Sequence, residues 1–433
     1  MGKLRHSALS PLLILLVVLV GCTPSISPGN SAESPPASAF PPSSEVPPDD
    51  AVATDVVTLP LTNMTVELAD ASDIVVHHYD IGDAGIVNTI GRPVPSPLTG
   101  IIAVPDAPGP HPLVVFIHGV MPVDSIADPV YAGFDYAVQQ MAAQGFVALS
   151  LNVNINYSIN FGESGSDEWA YELFNQTVAA LEVANAGGTS VVEPVETTAP
   201  GFGSDLTNKI DLSNIHLVGH SRGGEVADHI YRFDAEAGIN RIKSIVRVAS
   251  TVVPHYDEHP DIPTAIILPE FDGDVDNLAQ MVFDEILVAA PWRRAIANAV
   301  FLRGANHNFF NRAFTFDDRL GGRSFANPDD QSTWLTREQH EDFFVRYLTA
   351  FYAASGFDHL NHPSTAEDTF ADPMWIQDTG NATFDPNQPQ PATMFGYPVV
   401  ASTAFPGMMP ILREADQAAA AQAGTAGSAG VGF

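Results

Sequence analysis

One cysteine, Cys22, occurs among 433 residues, so no intramolecular disulfide can form. Lysine is almost missing: Lys3, Lys209 and Lys243 are the only three. Basic residues of both kinds number 18 against 51 acidic ones, a formal net charge of −33. A surface of that sign repels phosphate, which excludes nucleic acid as an expected partner. The apolar run from Leu12 to Val20 is too short to span a bilayer comfortably as a helix. What the chain does have is apolar content, 45% of its residues, which suits a globular body. Its length accommodates one domain of about 250–300 residues with appendages.

The start of the chain explains the lone cysteine. Lys3 and Arg5 form a basic opening, the apolar run follows, and Leu19-Val20-Gly21-Cys22 closes it. This resembles the lipobox of bacterial lipoproteins, in which cleavage precedes the cysteine and its sulfur carries a lipid. The resemblance implies a signal peptide over residues 1–22, lipidation of Cys22, and a location in the cell envelope, outside the cytoplasm and anchored to a membrane. The alternative is an ordinary secretory signal with an incidental cysteine. Residues 23–50 are rich in Ser and Pro, with Pro35-Pro36, Pro41-Pro42 and Pro47-Pro48, and read as an extended tether.

From residue 51 the patterning changes. Strands are expected at 56–61, 64–68, 74–79, 98–104, 113–117, 146–151, 215–218, 242–249, 264–268 and 299–302, by alternation or by short continuous apolar runs. Helices are expected at 134–144, 168–184, 225–233, 278–297 (interrupted at Pro291) and 337–354. Strand and helix alternate, which argues for an α/β fold with a mostly parallel, twisted sheet covered by helices on both faces. The domain is expected over 51–356. Residues 357–433 read as an irregular extension with an Ala/Gly-rich, disordered tail from Ala418.

The chemistry centres on Gly219-His220-Ser221-Arg222-Gly223. A serine between glycines, at a strand-to-helix junction, forms a nucleophile elbow that lifts the hydroxyl above the sheet's carboxyl edge. A serine hydroxyl is a poor nucleophile near neutral pH and needs a base, which in turn needs an orienting anion. In elbow-type enzymes these follow in the order serine, acid, histidine. His307, in the loop after the strand at 299–302, fits the base. His255 and His259 precede the expected acid, and His340 falls within a helix. The acid lies in Pro269-Glu270-Phe271-Asp272-Gly273-Asp274-Val275-Asp276. Asp272, three residues before Val275, is the first choice, and Asp274 is the alternative because a one-step change in the loop would exchange them. The alternating Asp272, Asp274 and Asp276 also resemble the start of a calcium loop, but Asn277 stands where such a loop needs glycine and no Glu closes it. Two N–H donors should face the developing oxyanion. One is the backbone of Arg222, directly after the serine. The other comes from His118-Gly119-Val120-Met121, with Val120 first and Met121 as the alternative. His118 reads as structural, and the Arg222 guanidinium as paired with a local carboxylate such as Glu225. Such chemistry calls for no metal or organic cofactor.

With these pieces in order, residues 95–355 resemble the α/β-hydrolase superfamily. Within it they are similar to the secreted bacterial branch of dienelactone-hydrolase-like, platelet-activating-factor-acetylhydrolase-like and cutinase-type enzymes. The resemblance rests on Phe116-Ile117-His118-Gly119, Gly145-Phe146-Val147, Gly219 to Gly224, Asp272 to Val275, and Ala305 to Phe310. It implies cleavage of a small-molecule, lipid or polymer ester through an acyl-enzyme. Two departures stand out: His118-Gly119-Val120 replaces the Pro-Gly-aromatic oxyanion loop of the polyester hydrolases, and the C-terminal disulfide they often carry is impossible here. The alternatives are a non-catalytic binding protein on a hydrolase fold, or an amide or peptide hydrolase.

Overall fold

A computed structural model describes residues 66–87, 91–120, 129–153, 166–188, 201–252, 261–289, 294–320, 326–356 and 392–404. Cys22, the tether, Met121, His255, His259 and the Ala/Gly-rich tail lie outside the described residues. No described helix is long and apolar enough to cross a membrane.

The fold is a single ten-stranded sheet flanked by helices. In chain order come β1 (Val76–Asp83), β2 (Pro97–Ala103), β3 (His111–Ile117), α1 (Asp135–Ala143), β4 (Val147–Leu151), α2 (Ser166–Asn185), β5 (Ile210–His220) and α3 (Arg222–Glu236). They are followed by β6 (Ile242–Val248), β7 (Thr264–Phe271), α4 (Gln280–Ala289), β8 (Ala297–Asn306), α5 (Arg337–Ala354), β9 (Ala392–Met394) and β10 (Tyr397–Ala404). The spatial order is β1-β2-β4-β3-β5-β6-β7-β8-β10-β9. Strands β4, β3, β5, β6, β7 and β8 pair in parallel, while β1, β2, β10 and β9 add on antiparallel at the two sides. This is an α/β arrangement, a mostly parallel sheet with helices on both faces.

Continuous apolar runs mark strands buried on both faces. All seven residues of β3 and all five of β4 are buried. Alternate residues of β3 divide between the faces: Val114 and Phe116 join the cluster under α1 and α5, whereas Leu113, Val115 and Ile117 join that under α2 and α3. Helix α5 starts where Thr336 and Gln339 cap each other: the Gln339 N–H donates to Thr336 Oγ1 at 3.3 Å, and the Thr336 N–H to Gln339 Oε1 at 2.7 Å. Phe343, Phe344, Tyr347, Leu348 and Phe351 then form its buried stripe.

The helix expected at 278–297 is helical over Gln280–Ala289, and Ala297 already belongs to β8; two further expectations need correction. The strand expected at 64–68 is absent over its described residues, 66–68. Carbonyls of the 66–74 segment are instead taken by helix side chains: Arg346 donates to Val66 O at 2.9 Å, Gln140 to Ala69 O at 3.0 Å, and Gln139 to Ile74 O at 2.9 Å. Backbone satisfied this way needs no strand partner. Second, residues 392–404, read as part of an irregular extension, form the β9–β10 hairpin, and β10 pairs with β8 from Val399↔Leu302 to Ala404↔Ala297. The sheet therefore runs beyond residue 356. It uses the extension to cover an edge that would otherwise offer unpaired N–H and C=O groups.

Helix α3, which follows the elbow, is pinned to β6 by a buried ion pair. Arg247 is fully buried, its Nε donates to Asp228 Oδ2 at 3.1 Å, and its Nη2 meets Asp228 Oδ1. Removing one partner strands the other charge out of water. Asp228→Ala should cost about 3–5 kcal/mol in urea unfolding, and replacing both partners (Asp228→Leu with Arg247→Met) far less. A single-variant loss below about 1 kcal/mol would mean the pair does not pin the helix.

Candidate active site

Parallel strands bring their carboxyl ends to one edge, where sites form in open α/β sheets. Here that edge collects His118 after β3, Ser221 after β5, Asp272 after β7 and His307 after β8.

Ser221 sits in the elbow with φ 54° and ψ −128°, a backbone region that side-chain-bearing residues avoid at a cost of about 1–3 kcal/mol. The flanking glycines make room. A Cβ on Gly219 would lie 2.3 Å from Gly223 O, and one on Gly223 would lie 2.1 Å from Ile117 O. The turn is held on both sides. The Ser221 N–H donates to Val248 O at 2.9 Å, and its carbonyl accepts from Gly224 at 3.1 Å and Thr251 at 3.2 Å.

The His307 ring is buried, and its Nδ1 lies 2.9 Å from Asp272 Oδ1. A carboxylate only accepts, so Nδ1 carries the hydrogen and Nε2 keeps its lone pair. Asp272 is itself anchored, accepting from Val275 N at 2.9 Å on Oδ1 and from Asn277 N at 3.1 Å on Oδ2. Both of its oxygens are thus occupied by this chain's own donors. Asp274 stands elsewhere: its Oδ2 is 3.6 Å from His307 Nε2, and its side chain is 67% exposed. Of the two acids left open by the sequence, Asp272 holds Nδ1 and Asp274 borders the opposite nitrogen.

Electrostatics follow from this packing. Burial alone would depress the His307 imidazole, but the Asp272 hydrogen bond and charge, joined by the charges of Asp274 and Asp318, raise it above the ordinary histidine value. Burial would likewise raise Asp272, yet the His307 hydrogen bond and charge, then the Val275 and Asn277 N–H groups, hold it below the usual carboxylate range.

Other histidines support the site. His220, next to Ser221, has its Nε2 2.8 Å from the His307 carbonyl, and the two rings lie 5.0 Å apart. The elbow is thereby docked on the histidine loop. Burial pushes His220 down to about 3, so it stays neutral and donates from Nε2. His340, a competing base by sequence, accepts the Asn306 N–H on Nε2 at 2.9 Å and holds the end of β8. Burial pulls His118 down to about 4. It accepts the Val153 N–H on Nε2 at 3.1 Å, which leaves Nδ1 to donate to Gly119 O at 2.8 Å. That bond fixes the peptide plane that Gly119 shares with the Val120 N–H. The same loop lies over the Ser221 side chain, since a Cβ on Gly119 would be 3.2 Å from Ser221 Oγ. Arg222 is the first residue of α3, so its N–H belongs to the turn whose N–H groups point out of the helix. Its guanidinium pairs with Glu225 at 2.8 Å, as expected from the sequence. Asp318, which no motif marks, is the residue that sequence reasoning missed. Its carboxylate accepts from Gly273, His307 and Asn308.

No protein-family model and no curated protein matches the chain. Among solved structures, it is similar to the dienelactone hydrolase-like promiscuous phosphotriesterase P91 from metagenomic libraries. That match has 15% identity and a TM-score of 0.39, covering 65% of this chain and 98% of the other. It is also similar to a protein assigned as a dienelactone hydrolase from Klebsiella pneumoniae subsp. pneumoniae, with 15% identity and a TM-score of 0.36, covering 64% and 98%.

The unequal placement of the two acids has a direct readout. Asp272→Asn should lower the His307 imidazole pKa by about one unit or more, whereas Asp274→Asn, acting through solvent, should shift it far less. NMR titration of the histidine ring protons measures both, and equal shifts would contradict the geometry.

Proposed function

We propose that the chain is a serine hydrolase that cleaves carboxylic esters through an acyl-enzyme. The reading is carried by the buried Asp272–His307 pair standing at the same strand edge as the strained Ser221 elbow. Ser221 Oγ attacks the ester carbonyl carbon while His307 Nε2 takes its proton. The tetrahedral oxyanion collects the backbone N–H groups of Val120 and Arg222, with Met121 as the neighbouring alternative. Collapse expels the alcohol, which receives the proton back from His307. Water, activated by the same nitrogen, then releases the acid and restores the serine. Asp272 orients the imidazole and stabilises its charged form throughout. On the lipobox reading this activity operates outside the cytoplasm, held to a membrane through lipid on Cys22.

Ser221→Ala should cut turnover of a short-chain p-nitrophenyl ester by about 10³-fold or more and abolish labelling by a fluorophosphonate probe. Retention of most activity would place the nucleophile elsewhere. A wild-type chain that the probe does not label would favour a binding protein on this fold.

The base works only when neutral, and its neighbours raise its pKa. Activity should therefore fall as pH drops, with the acid limb of kcat/KM centred above the ordinary histidine value of about 6.5. A pH–rate profile flat down to about pH 5 would be incompatible with His307 as the base.

A further inference from the structure

Against the backbone of His307 lies a buried carboxylate that the chemistry above does not use. Asp318 opens a short 3-10 turn, Asp318–Leu320, and is only 4% exposed. Its Oδ2 accepts from the Gly273 N–H at 2.8 Å and the His307 N–H at 3.1 Å, and its Oδ1 accepts from the Asn308 N–H at 3.1 Å. Gly273 directly follows Asp272, so one carboxylate binds the backbone of both the acid loop and the histidine loop. The approach is close: a Cβ on Gly273 would lie 2.3 Å from Asp318 O.

The flanking residues hold Asp318 in place without neutralising it. Arg319 pairs with Asp317 at 2.8 Å, donates to Gly304 O at 2.8 Å and Leu335 O at 3.0 Å, and lies over the Trp334 ring at 4.6 Å. Asp317 also accepts from Asn306 Nδ2 at 2.9 Å. Among the described residues no Arg or Lys pairs with Asp318. Its charge is met by three N–H dipoles and, when the imidazole is protonated, by His307.

We propose that Asp318 is a positioning residue, a buried anion that locks the Asp272 and His307 loops in register and stabilises the imidazolium formed during turnover. The proposal rests on the serine-hydrolase reading for its kinetic consequence but not for its electrostatic one. Asp272 and Asp274 face the imidazole from the loop after β7, Asp318 faces it from the turn after β8, and neutral His220 faces it from the end of β5. Neutral His118 stands beyond His220, and Asp317 and Arg319 flank Asp318 as a pair of opposite sign. Removing the Asp318 charge deletes one of the three anions that favour the protonated ring, so the ring should lose its proton at lower pH.

The test uses the full chain with Asp318→Asn and Asp318→Glu. In Asp318→Asn the His307 pKa, read by NMR without substrate, should fall by roughly half to one unit. The acid limb of kcat/KM should move with it, and kcat should drop about tenfold or more while KM changes less than about twofold. Asp318→Glu, which keeps the charge, should return the titration toward wild type. Should the Asn variant fail to fold, Asp318→Ser, which leaves space for water at the three N–H groups, carries the same measurement. An unshifted His307 titration in a folded, neutral variant overturns the proposal, as does a wild-type kcat. The NMR arm decides the electrostatic role even if wild-type protein proves to cleave no ester, so failure of the activity reading and failure of this proposal are separable.

Discussion

Parallel pairing is the constraint on which the site depends. Strands that run the same way finish at the same edge, so β3, β5, β7 and β8 deliver His118, Ser221, Asp272 and His307 together although they are distant along the chain. The pairing also makes the strands fully buried, and the continuous apolar runs of β3 and β4 follow from it. Helices must then cover both faces, and α3 covers one of them while beginning immediately after Ser221. Position and packing are one requirement here. Loss of sheet register would displace the loops that hold Ser221, Asp272 and His307.

Neutral histidines then refine what the sheet places. His118, His220 and His340 are each buried and each held well below the ordinary histidine value. Each bonds to a backbone group next to a functional position: the Gly119 carbonyl, the His307 carbonyl and the Asn306 N–H. Only His307 faces carboxylates closely enough for its pKa to be raised instead. Identical side chains thus divide between neutral scaffolding and a ring that favours its proton, according to whether an anion stands beside them.

Much of this was legible in the sequence because local rules generate it. The glycines around Ser221, the strand before it and the helix after it are neighbours in the chain. The spacing to Val275 ranked Asp272 above Asp274 but left both open, since both follow β7 and only the course of the loop decides which one meets Nδ1. The β9–β10 hairpin was hidden by its turn. Phe395 and Gly396 take φ of 57° and 85°, a pair of left-handed positions usually signalled by Asn-Gly, and a phenylalanine in the first of them obscures the signal. Asp318 escaped because no spacing rule links a carboxylate to the backbone N–H groups of two other loops.

That hairpin has a consequence for how the protein could be divided. Strand β8 carries the histidine loop at one end and is bordered by β10 over residues 297–302. A fragment stopping after α5 would retain every residue named at the site, yet leave β8 as a bare border able to recruit a second molecule. Among the described residues the outer strand on that side is instead β9, only three residues long, too short to template much further growth. The 392–404 hairpin thus covers the edge of the strand that leads into His307.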